Sequence, residues 1–139
     1  MLCPVCKGVE MFVLEYELLE VDYCPKCHGV WLDSGELALI GQRAGALQGQ
    51  LLAALEEQKG ERRTEGAPRR CPVCRKRLRM VSTQTAHPVV IDRCPRGDGL
   101  WFDNGELAPV VKAAGGDESN ALARFFAELG GPGKEKGNL

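Results

Sequence analysis

The sequence predicts a small α+β fold made of two β-hairpin modules, each followed by a helix. Three observations predict it. First, Cys3-Pro4-Val5-Cys6 recurs as Cys71-Pro72-Val73-Cys74 at an offset of 68, and residues 24–37, CPKCHGVWLDSGEL, recur at 94–107 as CPRGDGLWFDNGEL at an offset of 70, with eight of fourteen positions identical. Second, the halves of each copy are separated by segments rich in apolar, aromatic and β-branched residues with partial alternation, at 9–16 and 18–23 in the first copy and 78–83 and 89–93 in the second. Third, an aspartate stands three residues before a glutamate after each copy, Asp33 with Glu36 and Asp103 with Glu106, which is the pattern of a helix start with capped N–H groups.

These elements divide the chain. The ribbons take residues 1–37 and 71–107, and the two-residue change in offset places a small insertion between the halves of the second. An amphipathic helix is predicted from about residue 35 to 58, its apolar stripe marked by Leu37, Ile40, Ala44, Leu47, Leu51 and Leu55. Gly41, Gly45 and Gly49 recur along one side of it. Two readings stand for them, a notch for another helix or a weak, frayed helix. Residues 59–70, KGERRTEGAPRR, read as an exposed basic linker. A helical segment is expected within 108–129, interrupted early by Pro109 and resumed over 118–129 with Leu122, Phe125, Phe126 and Leu129 on one face. The glycine-rich tail 130–139 is expected to be disordered.

Composition narrows the class. Of 139 residues, 44% are hydrophobic and 27% charged, which fits a globular chain. No run approaches the roughly 18 apolar residues of a membrane span, and the N-terminus lacks a signal-peptide pattern, so the expected location is cytoplasmic and no membrane partner is expected. The seven cysteines fall in close pairs and are odd in number, which speaks for metal rather than a secreted disulfide framework. Each copy is also too short to build a stable apolar core unaided.

The first metal set is Cys3, Cys6, Cys24 and Cys27. Two C-x-x-C pairs joined by a hairpin can close a tetrahedron of thiolates around zinc, with no position left for a reacting water. Iron in a similar site and thiol exchange are the weaker alternatives. In the second copy Cys71, Cys74 and Cys94 align with the first three ligands, but Gly97 stands where Cys27 does. Asp98, aligned with His28, is the preferred fourth ligand, since carboxylate oxygen binds zinc and the side chain is longer than that of cysteine. Water, a partner group, or a weakened site are the alternatives. His28 reads as a bystander or an outer hydrogen-bond partner, and His87 as a residue of the hairpin turn. The cofactor expectation is therefore two zinc ions.

Taken together, C-P-x-C, a hairpin and C-P-x-C-x-G-x-W-L-D-x-G-E-L resemble the transcription-factor-IIB-type zinc-ribbon family of bacterial proteins. Cys3, Cys6, Cys24, Cys27, Gly29, Trp31, Asp33, Gly35, Glu36 and Leu37 fit it. The second copy fits at Cys71, Cys74, Cys94, Gly99, Trp101, Asp103, Gly105, Glu106 and Leu107 and departs at Gly97-Asp98. The resemblance implies two tandem zinc ribbons; a ribbon alone does not establish a role in transcription.

For function, the expectation is a non-enzymatic zinc protein acting as an adaptor, through another protein or self-association along helix 36–58. No general base or substrate pocket accompanies the metals, and Trp31 and Trp101 read as apolar cover for the small modules rather than as stacking platforms. The alternative is nucleic-acid binding. Residues 59–80 carry nine basic and two acidic side chains, and Arg62, Arg63, Arg69, Arg70, Arg75, Lys76, Arg77 and Arg79 lie there. The rest of the chain is acidic and the formal charge is −1, which weighs against whole-molecule attraction to nucleic acid. A redox- or metal-responsive switch through the second site is a third reading.

Overall fold

The strand-like segments pair as antiparallel ribbons, and the two ribbons join edge to edge. The computed structural model describes residues 1–16, 19–36, 53–83 and 88–107. Seven strands are present among them: β1 (Phe12–Tyr16), β2 (Leu19–Tyr23), β3 (Val30–Asp33), β4 (Glu61–Arg62), β5 (Arg79–Ser82), β6 (Val90–Arg93) and β7 (Gly99–Phe102). They form one sheet in the order β1-β2-β3-β7-β6-β5-β4, antiparallel throughout.

Each copy has three strands where the sequence reading gave a two-stranded hairpin. The missed strands, β3 and β7, cover the V-W-L-D and G-L-W-F runs, where the sequence reading expects apolar cover by the tryptophans and, at Asp33 and Asp103, a helix cap, but no strand. A four-residue apolar run has no resolvable period, so its pattern alone does not mark it as a strand. The registers also refine the insertion. Phe12 pairs with Tyr23 as Arg79 pairs with Arg93, and Val13 with Asp22 as Met80 with Asp92. The first strands are thus related by an offset of 67. The second copy is one residue shorter in its first metal turn and three longer in its hairpin turn, which gives the net two.

The seam between the copies is β3 against β7. Trp31 lies opposite Trp101, Val30 opposite Phe102 and Leu32 opposite Leu100. Residues 30–32 correspond to 100–102 in the repeat, so this register has an internal two-fold axis at the tryptophan pair. The motif glycines explain how the pair fits. A Cβ on Gly29 would lie 2.2 Å from Trp101 Cζ2, and one on Gly99 would lie 2.9 Å from Trp31 Cζ2 and 2.2 Å from the Leu32 carbonyl oxygen. Each tryptophan therefore packs over the glycine of the other copy.

Alternation along the strands sorts the core into two faces. Trp31 and Trp101 pack with Cys3, Cys24, Cys71, Cys94, Met11 and Leu78 in one cluster that spans both metal-binding ends. On the opposite face β3 and β7 direct Val30, Leu32, Leu100 and Phe102, of which the last three are fully buried.

The helical expectations are only partly described. Residues 34–36 and 53–57 are helical, and Leu55 of the expected stripe is buried. Residues 37–52, with the glycine notch, lie outside the described residues, as do His87, Pro109 and the segments 108–129 and 130–139. The capping expectation needs correction. The Asp33 and Asp103 carboxylates accept the indole N–H groups of Trp31 and Trp101, at 2.9 and 3.1 Å. The glutamate half of the cap forms in the second copy, where the Asp103 N–H donates to Glu106 Oε1 at 2.8 Å. In the first copy Glu36 instead accepts the Glu20 N–H at 2.9 Å.

The expected linker is exposed over 64–68 but is not free. Gln58 exchanges two hydrogen bonds with the Ser82 backbone, and β4 extends the sheet beyond β5. Arginines within it are held by the buried Asp92 carboxylate on β6 and the part-exposed Asp103 carboxylate after β7, a long-range attraction that the polar, turn-rich composition of the segment does not disclose.

Two outcomes follow from these contacts. Gly29→Ala forces its methyl into Trp101, and overpacking of this kind costs about 1–3 kcal/mol. We expect a melting temperature lowered by several degrees in the zinc-loaded protein, followed by circular dichroism, whereas Gly66→Ala at an exposed turn leaves the seam intact. Burial lifts the Glu106 carboxyl from its ordinary 4.5 to about 7, with the Asp103 charge adding to the effect. The folded form thus holds this proton more tightly than the unfolded chain. The associated stability is present below the unfolded value and is lost as pH rises through about 7. Glu106→Gln, compared with wild type at saturating zinc, is expected to gain relative stability between pH 6 and pH 8, by no more than roughly 3 kcal/mol.

Candidate metal centres

Four tight turns present the ligands. Each first cysteine is clasped by backbone N–H groups of its own turn: Cys3 Sγ accepts from Val5 and Cys6 at 3.3 and 3.2 Å, Cys24 from Lys26 and Cys27 at 3.4 Å each, Cys71 from Val73 and Cys74 at 3.3 and 3.5 Å, and Cys94 from Arg96 at 3.3 Å. Such bonds favour the thiolate and fix its direction.

The ligand atoms converge in two groups, Cys3, Cys6, Cys24 and Cys27, and Cys71, Cys74, Cys94 and Asp98, each with all four donor atoms within 4.8 Å of one another. A tetrahedral zinc with sulfur at about 2.3 Å has S–S edges of about 3.8 Å, and S–O edges of about 3.6 Å. The first group has Cys3 Sγ and Cys27 Sγ 3.7 Å apart. The second has Cys74 Sγ and Cys94 Sγ at 3.6 Å, with Asp98 Oδ2 at 3.5 Å from Cys71 Sγ and 3.4 Å from Cys94 Sγ. All seven cysteines are free thiols, and these separations are far beyond the S–S bond of about 2.0 Å.

The donors' acid–base chemistry also fits a cation. Cys27 donates to Cys3, which holds the Cys3 thiol down at about 5 while Cys27 is pushed far up. Burial pushes the Cys71 and Cys94 thiols up, and thiol donation, foremost from Cys74, holds Asp98 below the usual carboxylate range. Proton sharing keeps some of these groups neutral; a divalent cation lets all four ionise together. Both donor sets fit Zn²⁺, and the chain has two zinc sites.

The change from Cys27 to Asp98 has a backbone cause. In the first copy His28 takes the left-handed conformation, φ 64°, and its N–H closes on the Cys24 carbonyl at 2.9 Å. In the second, Gly97 takes it, φ 81°, and its N–H closes on the Cys94 carbonyl at 3.0 Å. The turn closes one residue sooner, which brings Asp98 to the metal position. The turns regain step at the next bond, where Cys24 N–H and Cys94 N–H reach the Gly29 and Gly99 carbonyls at 3.0 and 3.1 Å. His28 stays outside the first ligand set, its Nδ1 hydrogen-bonded to the Tyr23 hydroxyl. Tyr23 was missed by sequence reasoning, since its counterpart Arg93 is chemically unrelated.

Beside each tryptophan the sheet places an aspartate, Asp22 opposite Trp31 and Asp92 opposite Trp101. The copies treat it differently. Asp92 accepts from Arg63 Nη2 at 2.8 Å and Arg69 Nη1 at 2.7 Å, and Arg69 Nη1 also reaches Asp103 at 3.0 Å. Asp22 is 8% exposed, and burial, with the neighbouring Asp33 charge, pushes it up to about 6. The repeat carries the W-x-D pattern twice, but the same aspartates stand at helix-cap spacing, so the sequence does not single out the indole-to-carboxylate bond.

The basic residues do not act as one surface. Arg63 and Arg69 are engaged with Asp92. Arg70 donates to the Arg75 carbonyl, and Arg79 to the carbonyls of Lys59 and Gly60. Arg62, Arg75, Lys76 and Arg77 have exposed side chains. A cavity of about 390 Å³ is lined by Arg62, Arg63, Arg69, Arg77 and Arg79.

A family model described as transcription factor zinc-finger, the TFIIB-type zinc ribbon, matches residues 2–43 and 70–113, more than half of the chain in two tandem regions. No curated protein and no solved structure matches.

The mixed donor set predicts unequal metal retention. Thiolate is the stronger zinc donor, so stepwise chelator titration is expected to remove the second zinc before the first. The double variant Gly97→Cys/Asp98→His restores the first copy's turn and is expected to merge the two release steps. Metal content by mass spectrometry of the native holo-protein reads both. Equal release from wild type overturns the expectation.

Proposed function

The chain belongs to the transcription factor zinc-finger family, and we propose that it serves as a non-enzymatic, zinc-clamped adaptor that binds another protein along the outer edge of its first ribbon. One observation carries this reading. Phe12 and Val13 of β1 are 57% and 59% exposed, and no strand lies beyond β1 among the described residues. An open strand edge offers unpaired N–H and C=O groups, and proteins ordinarily blunt it with charge or cover it. An apolar open edge is a template for strand addition by a partner.

The rest of the site agrees with binding rather than catalysis. Each metal set has four protein donors, which leaves no position for an activated water. Trp31 and Trp101 are fully buried and cannot stack on a base. No helix among the described residues is long and apolar enough to cross a membrane.

A second reading, nucleic-acid binding related to transcription, is favoured by the arginine-lined cavity, where Arg62 and Arg77 keep exposed side chains. The acidic remainder of the molecule weighs against it.

Crosslinking capture with zinc-loaded wild type and with Phe12→Ser/Val13→Ser tests the proposal. The variant is expected to retain its zinc and lose roughly tenfold or more of the partner recovered by wild type, as for removal of a central apolar contact. Equal recovery overturns the edge as the binding surface. A low-salt mobility shift abolished by Arg62→Gln/Arg77→Gln would instead establish the second reading.

A further inference from the structure

The internal repeat supplies a template for what covers the open edge. In the second copy β4 pairs along β5, with Glu61 opposite Met80 and Arg62 opposite Arg79. Two residues of the same segment, Arg63 and Arg69, converge on buried Asp92. Met80 and Arg79 are thereby half-buried. Their register equivalents in the first copy are Val13 and Phe12, which are largely exposed. The equivalent of Asp92 is Asp22, which is 8% exposed, yet no hydrogen bond or ion pair of its carboxylate is made among the described residues. The position equivalent to Arg69 in the repeat is Met1, whose amino group pairs with Glu10 at 3.1 Å. Among the described residues, the first copy therefore shows the strand edge and the carboxylate, with no strand paired outside β1 and no guanidinium bound to Asp22.

Resting on the adaptor reading, we infer that the first ribbon binds an extended segment of a partner protein which adds antiparallel to β1, covers Phe12 and Val13, and inserts an arginine between Asp22 and Asp33. The guanidinium matches the site because two carboxylates flank the Trp31 indole edge, as Asp92 and Asp103 flank that of Trp101. In the second copy a single arginine nitrogen, Arg69 Nη1, satisfies both. The segment comes from a different protein rather than a second copy. The chain's own arginine-bearing strand is already committed to Asp92 in every molecule. Pairing also explains why a carboxylate is kept buried beside a metal-clamped core, since an unpaired buried charge is costly and a paired one is tolerated.

The test uses the zinc-loaded full chain and a synthetic peptide of residues 59–70, KGERRTEGAPRR, as the probe. Two-dimensional amide spectra are expected to show saturable shifts along Phe12–Tyr16 and at Asp22. Asp22→Asn, or a peptide with both template arginines replaced by glutamine, is expected to weaken binding at least tenfold, and Phe12→Ser to weaken it without touching Asp22. No shifts at millimolar peptide, or binding indifferent to Asp22→Asn, overturns the inference. Concentration-dependent dimers dissolved by Asp22→Asn would make the occupant a second copy and also overturn it. Resonances of 37–52 or 108–139 displaced by Asp22→Asn without peptide would make the occupant the chain's own segment, with the same result. In the capture experiment, partner loss with Phe12→Ser/Val13→Ser but not with Asp22→Asn leaves the adaptor reading standing and removes only the arginine.

Discussion

The pairing of β3 with β7 is the constraint from which the rest of the architecture follows. Each ribbon of about 35 residues buries too little surface to stand alone. Zinc fixes the turn ends of a ribbon, but it does not supply apolar contacts along the strands. The seam does, by setting Trp31 against Trp101 and seating each indole over the other copy's glycine. The metal-ligating cysteines then pack against the same two tryptophans, so both metal ends share one core. Removing a zinc therefore loosens a structure that the other zinc also depends on.

The seam also orders the polar groups around it. An indole in the centre of a sheet needs an acceptor for its N–H, and Asp33 and Asp103 provide it two residues along the chain. Those carboxylates, and the aspartates opposite each tryptophan, bring negative charge into a half-buried layer. The second copy neutralises its share with Arg63 and Arg69 from the connecting segment. The segment is fixed in place by that attraction, and β4 is the by-product of fixing it.

Much of the metal chemistry was legible because ligands are specified by residue type and spacing. Cys3, Cys6, Cys24 and Cys27 need no tertiary information to be recognised, and Asp98 could be proposed because the repeat set it one position after the missing cysteine. Its reason was not legible, since it lies in a left-handed turn that moves from His28 to Gly97. The third strands were hidden by their shortness. The role of Asp33 and Asp103 was hidden because the same spacing that marks a helix cap also places a carboxylate beside the tryptophan two residues back. The anchoring of the exposed linker was not legible because Arg63 and Arg69 find their partner 29 and 23 residues further along the chain, beyond the reach of any local pattern.

The covered edge at β4 has a consequence for assembly. Two identical ribbons paired through a common strand, as separate chains, would carry two identical outer edges, and an object with two open edges can add to itself without limit. Fusion in tandem lets the halves differ. With β4 laid over one outer edge, the described sheet has a single apolar end. On the proposed reading, a partner strand would add at that end alone, so addition would stop after one event and give a complex of fixed stoichiometry instead of a filament.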